Sequence, residues 1–200
     1  LDDGRIFVAL GDVSGKGIPA ALFMAVTTTL LRTMARQYAE PEVILRQVND
    51  ALERQNPRGM FVTLVCIIID PATGQVNCAN AGHQPALLLG RDGAPQWVLP
   101  ATGIVAGALA NLDFEREVIE LRPGEALVLY TDGVTEAFDP DGALFGEEKL
   151  EACMRSAHNG SADEILARVM NAVHEHAGGA PQSDDITVLT LRRRPVPQSG

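Results

Sequence analysis

The chain has 200 residues, 46% hydrophobic against 21% charged, a balance that excludes a disordered tail and suits one domain burying its own core. Its formal charge of -10 opposes a polyphosphate backbone and argues against a nucleic-acid partner. No apolar run reaches the roughly eighteen residues of a membrane span, and no signal-peptide pattern is present, so a cytoplasmic chain, or the cytoplasmic part of something longer, is expected.

Ile6 to Leu10 is predicted as a strand that ends at Gly11 and Asp12. The stretch that follows, GDVSGKG, resembles a phosphate-binding loop at first sight. A P-loop needs four residues between its first glycine and the Gly-Lys pair, followed by Ser or Thr. Here only Asp12, Val13 and Ser14 separate Gly11 from Gly15, and Gly17 follows Lys16. What remains is a carboxylate at a strand end on a glycine-rich turn, placed to reach a metal ion.

A helix is predicted over Ile18 to Gln37, with Pro19 in its first turn. Thr27, Thr28 and Thr29 lower its intrinsic propensity, so packing must hold it. A second helix is predicted from Pro41 through Glu53. Phe61 to Asp70 is a β-branched run expected to be a buried strand, and Val76 to Ala81 returns beside it after the turn DPATGQ.

Pro85 to Gly90 and Pro95 to Leu99 flank RDGA as a hairpin. Phe114 to Leu121 is expected to pair with Ala126 to Tyr130 across RPGE. Helices follow over Glu147 to Ala157 and Ala162 to Ala177, the latter capped by Ser161. Ile186 to Leu191 closes the series, and residues 193–200 read as a disordered tail. Helices segregated from hairpin-linked strands indicate an α+β layered sandwich and not a βαβ fold. The cysteines Cys66, Cys78 and Cys153 form no Cys-x-x-Cys pattern and are expected as buried free thiols. Contact between Cys66 and Cys78 is left open, because they lie on opposite arms of an expected hairpin.

Asp12, Asp132 and Asp184 share one context, the end of a predicted strand. Carboxylates so placed project at the rim of a sheet and not into its core. Oxygen-only ligands without His or Cys favour magnesium or manganese over zinc. Gathered carboxylates repel unless a cation lies between them, and a pair of such cations suits hydrolysis of a phosphate ester. Taken one at a time, each Asp is equally a turn former.

GDVSGKGIPAALFMA, FVTL, NAGHQPALL, LVLYTDGVTEA and SDDITVL, in this order, resemble the SpoIIE-type branch of the metal-dependent serine/threonine protein phosphatases, the 2C-like superfamily. The likeness spans Gly11 to Leu191. It implies two antiparallel sheets in a sandwich flanked by helices, with two manganese or magnesium ions at one end. It also implies that Asp12 and the backbone carbonyl of Val13 hold metal, that Asp132 bridges, that Asp184 is the last ligand and that Asp185 supports it. Gly133, Lys16 and His83 are candidates for supporting the metals or meeting substrate. Lys16 is equally a solvated residue, and His83 is either a proton donor to the leaving oxygen or a residue that ties down its loop. Glu136 is a further candidate, either supporting the metals or solvating a helix start.

The resemblance further implies a phosphoserine or phosphothreonine substrate on an anti-anti-sigma-type bacterial regulator. An upstream sensor or receiver domain would act through the Ile18 to Glu53 helical pair. Family members carry another acidic motif on a preceding strand, whereas this chain opens at LDDGR, with Asp2 and Asp3 in the turn after it. A single phosphatase domain over residues 1–192 lacking that strand is therefore expected. The uncovered sheet edge would favour a homodimer. Two rival readings stay open: a phosphatase-fold interaction module with little catalysis, and a small-molecule phosphohydrolase marked by a deep pocket.

Overall fold

The computed structural model describes residues 1–54, 56 and 58–194; residues 195–200 of the expected tail lie outside the described residues. In chain order the elements are β1 (Ile6–Val13), α1 (Ile18–Met34), α2 (Pro41–Arg54), β2 (Val62–Ile69), β3 (Gln75–Ala81), β4 (Ala86–Leu89), β5 (Pro95–Val98), β6 (Glu117–Glu120), β7 (Ala126–Tyr130), α3 (Gly146–Ser156), α4 (Ala162–Ala177) and β8 (Val188–Arg192). They fall into two compact units, Leu1–His83 with Leu99–Glu120, and Gln84–Val98 with the chain from Leu121. Each unit carries one four-stranded antiparallel sheet and two helices, so the α+β class holds.

The first unit has the strand order β1-β2-β3-β6. Helix α2 seats Ile44, Leu45, Val48 and Leu52 against Leu64, Cys66, Ile68, Ala79 and Ala81 of β2 and β3. All are withdrawn from water, and this apolar burial is the main force holding helix to sheet. Asn49, on the same helix and fully buried, satisfies its amide by donating to Leu109 O at 3.0 Å and accepting from Gly107 N at 2.9 Å. Helix α1 resolves its threonine problem locally. The hydroxyls of Thr27, Thr28, Thr29 and Thr33 each donate to the carbonyl four residues earlier, at 2.8–2.9 Å. Back-bonding of this kind keeps the hydroxyls paired without ending the helix.

Cys66 pairs across the sheet with Ala79, and Cys78 with Ile67. Paired residues share a face and successive residues alternate, so the two thiols point to opposite faces and remain free. Burial pushes the Cys78 thiol up to about 12, with the nearby Glu117 charge adding to the effect.

In the second unit the order is β5-β4-β7-β8. Leu87, Leu89, Val128 and Tyr130 of the sheet pack with Leu150 and Met154 of α3 and with Ile165, Val169 and Val173 of α4. The expected pairing of Phe114–Leu121 with Ala126–Tyr130 is corrected: β6 pairs with β3, whereas β7 pairs with β4 and β8. Every residue of β7 is buried, so it needs partners on both edges, whereas β6 alternates in exposure and stays at an edge. The chain changes sheets at RPGE, where Glu125 N donates to Arg122 O and Glu125 Oε2 accepts from Arg122 N.

Ser161 caps α4 as expected and closes a capping box with Glu164. Its backbone N–H, donated to Glu164 Oε2 at 2.6 Å, and its side chain hold that carboxyl below the ordinary value. A depressed folded-state value means that this contribution is present above the unfolded pKa and is lost as pH falls through the folded one. Ser161→Ala is expected to cost about 1 kcal/mol, measured by urea unfolding at neutral pH, with the difference from wild type shrinking in acid.

Candidate functional site

In the first unit the site is built on β1, which runs through Asp12 to Val13 instead of stopping at Leu10. The register sets Asp12 opposite Thr63 and Gly11 opposite Leu64. Phe7, Ala9 and Val13 point to the helical side, where they pack against its core. By alternation Asp12 and Thr63 share the other face. Gly11 has no room for a side chain, since a Cβ would lie 2.6 Å from Thr63 O and 3.0 Å from a methyl of Leu64. The strand end is clamped by Ser14, whose N–H donates to Phe61 O at 2.9 Å and whose Oγ accepts from Phe61 N at 2.9 Å. Asp12 and Val13 are half-buried, and Lys16 is exposed.

His83 is 2% exposed. Its N–H donates to Asn80 Oδ1 at 2.8 Å, Asn80 Nδ2 donates back to His83 O at 3.1 Å, and Nδ1 lies 3.0 Å from Thr63 Oγ1. These contacts tie the loop that carries His83.

In the second unit Thr131 and Gly133, on either side of Asp132, meet the turn at Asp184 and Asp185. Thr131 Oγ1 donates to Asp185 O at 2.8 Å and accepts from Thr187 N at 2.9 Å. These bonds occupy the stretch expected to begin the last strand, which is why β8 starts only at Val188. Gly133 is buried against that turn; a Cβ there would overlap the carbonyl oxygen of Asp185 and lie 3.3 Å from Asp184 O. Asp184 is half-buried, its Oδ1 accepting from Asp185 N at 2.8 Å and its carbonyl from Gln182 Nε2 at 2.7 Å. Asp185 itself is exposed. Glu136 is exposed too, with its N–H donated to Asp132 O at 2.8 Å.

One oxygen of Asp132 is buried with no hydrogen-bond partner. A buried carboxylate oxygen without a donor is costly, and a divalent cation would relieve it. The all-oxygen chemistry of Asp132 and Asp184 fits magnesium or manganese. Among the described residues, no group of three or more His, Cys, Asp or Glu side chains is gathered closely enough to hold a metal ion. Thus the structure brings Asp132 beside the Asp184–Asp185 turn, while Asp12 belongs to the first unit and is described there. Thr63 and Thr131, which hold the main chain around these aspartates, had no role assigned from the sequence; both lie inside the motifs FVTL and YTDG, and that position was the available signal.

A family model described as Stage II sporulation protein E (SpoIIE) matches residues 2–194. Protein IcfG of Synechocystis sp. is 30% identical over 220 residues, covering 96% of this chain and 34% of its own length. Phosphoserine phosphatase RsbU of Bacillus subtilis is 28% identical over 193 residues, 96% of this chain and 57% of its own. The crystal structure of the RsbU and RsbW domains of Rv1364c from Mycobacterium tuberculosis matches with a TM-score of 0.81 at 27% identity, over 97% of this chain and 53% of that one. The chain thus spans from about a third to somewhat over half the length of these curated relatives. With the match running over nearly all of its residues, the chain belongs to the SpoIIE family, the SpoIIE-type branch of the 2C-like phosphatases.

Proposed function

We propose that this chain is a metal-dependent phosphoprotein phosphatase that hydrolyses phosphoserine or phosphothreonine with water as the nucleophile. Its metal ligands are the carboxylates of Asp12, Asp132 and Asp184 with the backbone carbonyl of Val13. The observation that carries the reading is the partnerless buried oxygen of Asp132, the residue just before the Gly133 that packs against the Asp184–Asp185 turn. Held by these residues, two manganese or magnesium ions would supply a water of lowered pKa and charge to balance that of a phosphoryl group. Asp132 and Asp184 would supply negative charge, Asp184 from a turn bonded by Thr131 Oγ1 and Gln182 Nε2. Gly133, lacking a side chain, lets the two main-chain segments meet. Lys16, exposed ahead of α1, is placed in the reading as a contact for the substrate phosphate. The proposed substrate is an anti-anti-sigma-type regulator, with an upstream sensor or receiver domain in control, as the sequence resemblance implies; the name of RsbU as a phosphoserine phosphatase supports the phosphoserine part of this reading.

A second reading, an interaction module with little catalysis, is favoured by the lack of a gathered three-residue metal group among the described residues. One assay separates the two: hydrolysis of p-nitrophenyl phosphate and of a phosphoserine protein, with manganese, magnesium or chelator. The phosphatase reading expects turnover that requires manganese or magnesium and disappears with chelator. A folded chain that is silent under all three conditions overturns it in favour of the module.

A further inference from the structure

We infer that Thr63 and His83 are positioning residues that fix the peptide plane between Asp12 and Val13, and through it the metal affinity of the site; this rests on the metal-dependent reading above. The peptide in question links the two groups proposed as ligands, the Asp12 carboxylate and the Val13 carbonyl. Its carbonyl oxygen, that of Asp12, lies 3.5 Å from Thr63 Oγ1, beyond the ordinary O–H···O range and therefore a weak contact that a small shift of the hydroxyl strengthens or removes. Thr63 has one hydroxyl proton. If that proton points to Asp12 O, then Oγ1 is free to accept from His83 Nδ1–H at 3.0 Å, which orders the three groups as one chain, imidazole to hydroxyl to carbonyl.

The far end of this chain is anchored more firmly than its near end. His83 is 2% exposed and its main chain is bonded in both directions to the Asn80 amide, which is itself fully buried and donates a further bond to Leu99 O at 2.9 Å. Gly82 between them has a φ of +67°, and a Cβ there would come within 3.0 Å of a Val105 methyl, so the loop has little freedom to shift. The imidazole is therefore a fixed post, and Thr63 transmits its position across β2 to β1. Ladder bonds alone would hold β1 in register. The Thr63 hydroxyl adds control over the tilt of a single peptide plane, which matters only if that plane presents ligands. Partners of this kind, one step removed from the metal, typically change affinity by about 10–100-fold.

The test uses the full chain and reads manganese binding by calorimetry, melting temperature in chelator, and kcat and KM separately. Thr63→Val keeps the shape and removes the hydroxyl, and Thr63→Ser restores it. His83→Leu removes the anchor, whereas His83→Asn returns an amide near the Nδ1 position. Thr63→Val and His83→Leu are each expected to weaken manganese binding about tenfold and to lower kcat with KM unchanged, while Thr63→Ser and His83→Asn recover most of the loss. The double variant Thr63→Val/His83→Leu should be no worse than either single one, because the two act through one chain of contacts. Wild-type manganese affinity in a folded Thr63→Val variant would overturn the positioning role and leave the phosphatase reading standing. A wild-type chain that binds no manganese would instead overturn both.

Discussion

Asp132→Asn is expected to abolish metal-dependent turnover, by about a thousandfold or more, beyond the ~10–100-fold typical of partners that only orient a ligand. The carboxylate has one buried oxygen with no hydrogen-bond partner. In the absence of metal that oxygen is a liability to the fold, since a buried acceptor without a donor loses hydration and gains nothing. The neutral amide removes the charge while keeping the shape. The melting temperature of the variant in chelator is therefore expected to equal or exceed that of wild type. Added manganese should raise the melting temperature of wild type, because a ligand bound only by the folded state stabilises it by mass action, and should leave that of the variant unchanged. Calorimetric melting with and without manganese, beside a turnover assay, checks both halves. Undiminished metal-dependent activity in Asp132→Asn would remove Asp132 from the site.

Gly133→Ala is expected to damage stability and activity together, with a loss of about 2–3 kcal/mol in the range of overpacked sites. The obstacle to the new methyl group is main chain: the carbonyl of Asp185, with Asp184 O 3.3 Å away. A flexible side chain could swing aside, but this turn is held by Thr131 Oγ1 on Asp185 O and by Gln182 Nε2 on Asp184 O. Making room breaks at least one of these bonds and carries the Asp184 carboxylate with it. Chemical denaturation and the manganese dependence of turnover measure the two effects. A variant as stable and as active as wild type would show that the turn moves freely.

Much of the local structure was legible from residue pattern. The Ser161 cap and the span of α4 follow from side-chain chemistry within a few residues, and β2 follows from a β-branched run. The start of the last strand was less so. Ile186 and Thr187 have strand-like composition, yet Thr187 N is drawn to the Thr131 hydroxyl, 56 positions away in sequence. Propensity carries no information about a partner that distant. The same limit applies to Phe114–Leu121 and Ala126–Tyr130. Adjacent strands joined by a four-residue turn normally pair, but β7 is buried throughout and takes β4 and β8 as partners.

For the site, the motif residues Asp12, Asp132 and Asp184 could be nominated from the sequence because each stands beside glycine or at the edge of an apolar run, and because the ordered set of motifs resembles one family. That pattern is a property of the chain itself, so it survives without coordinates. What only the tertiary structure decided is which groups hold those residues in place: Thr63 opposite Asp12, the Asn80 and His83 anchor behind it, and Thr131 gripping the turn that crowds Gly133. Hydroxyls and amides of this sort are chemically unremarkable wherever they occur in a sequence. Their role comes from distance and direction alone, and those are set only when the strands that carry them find their register.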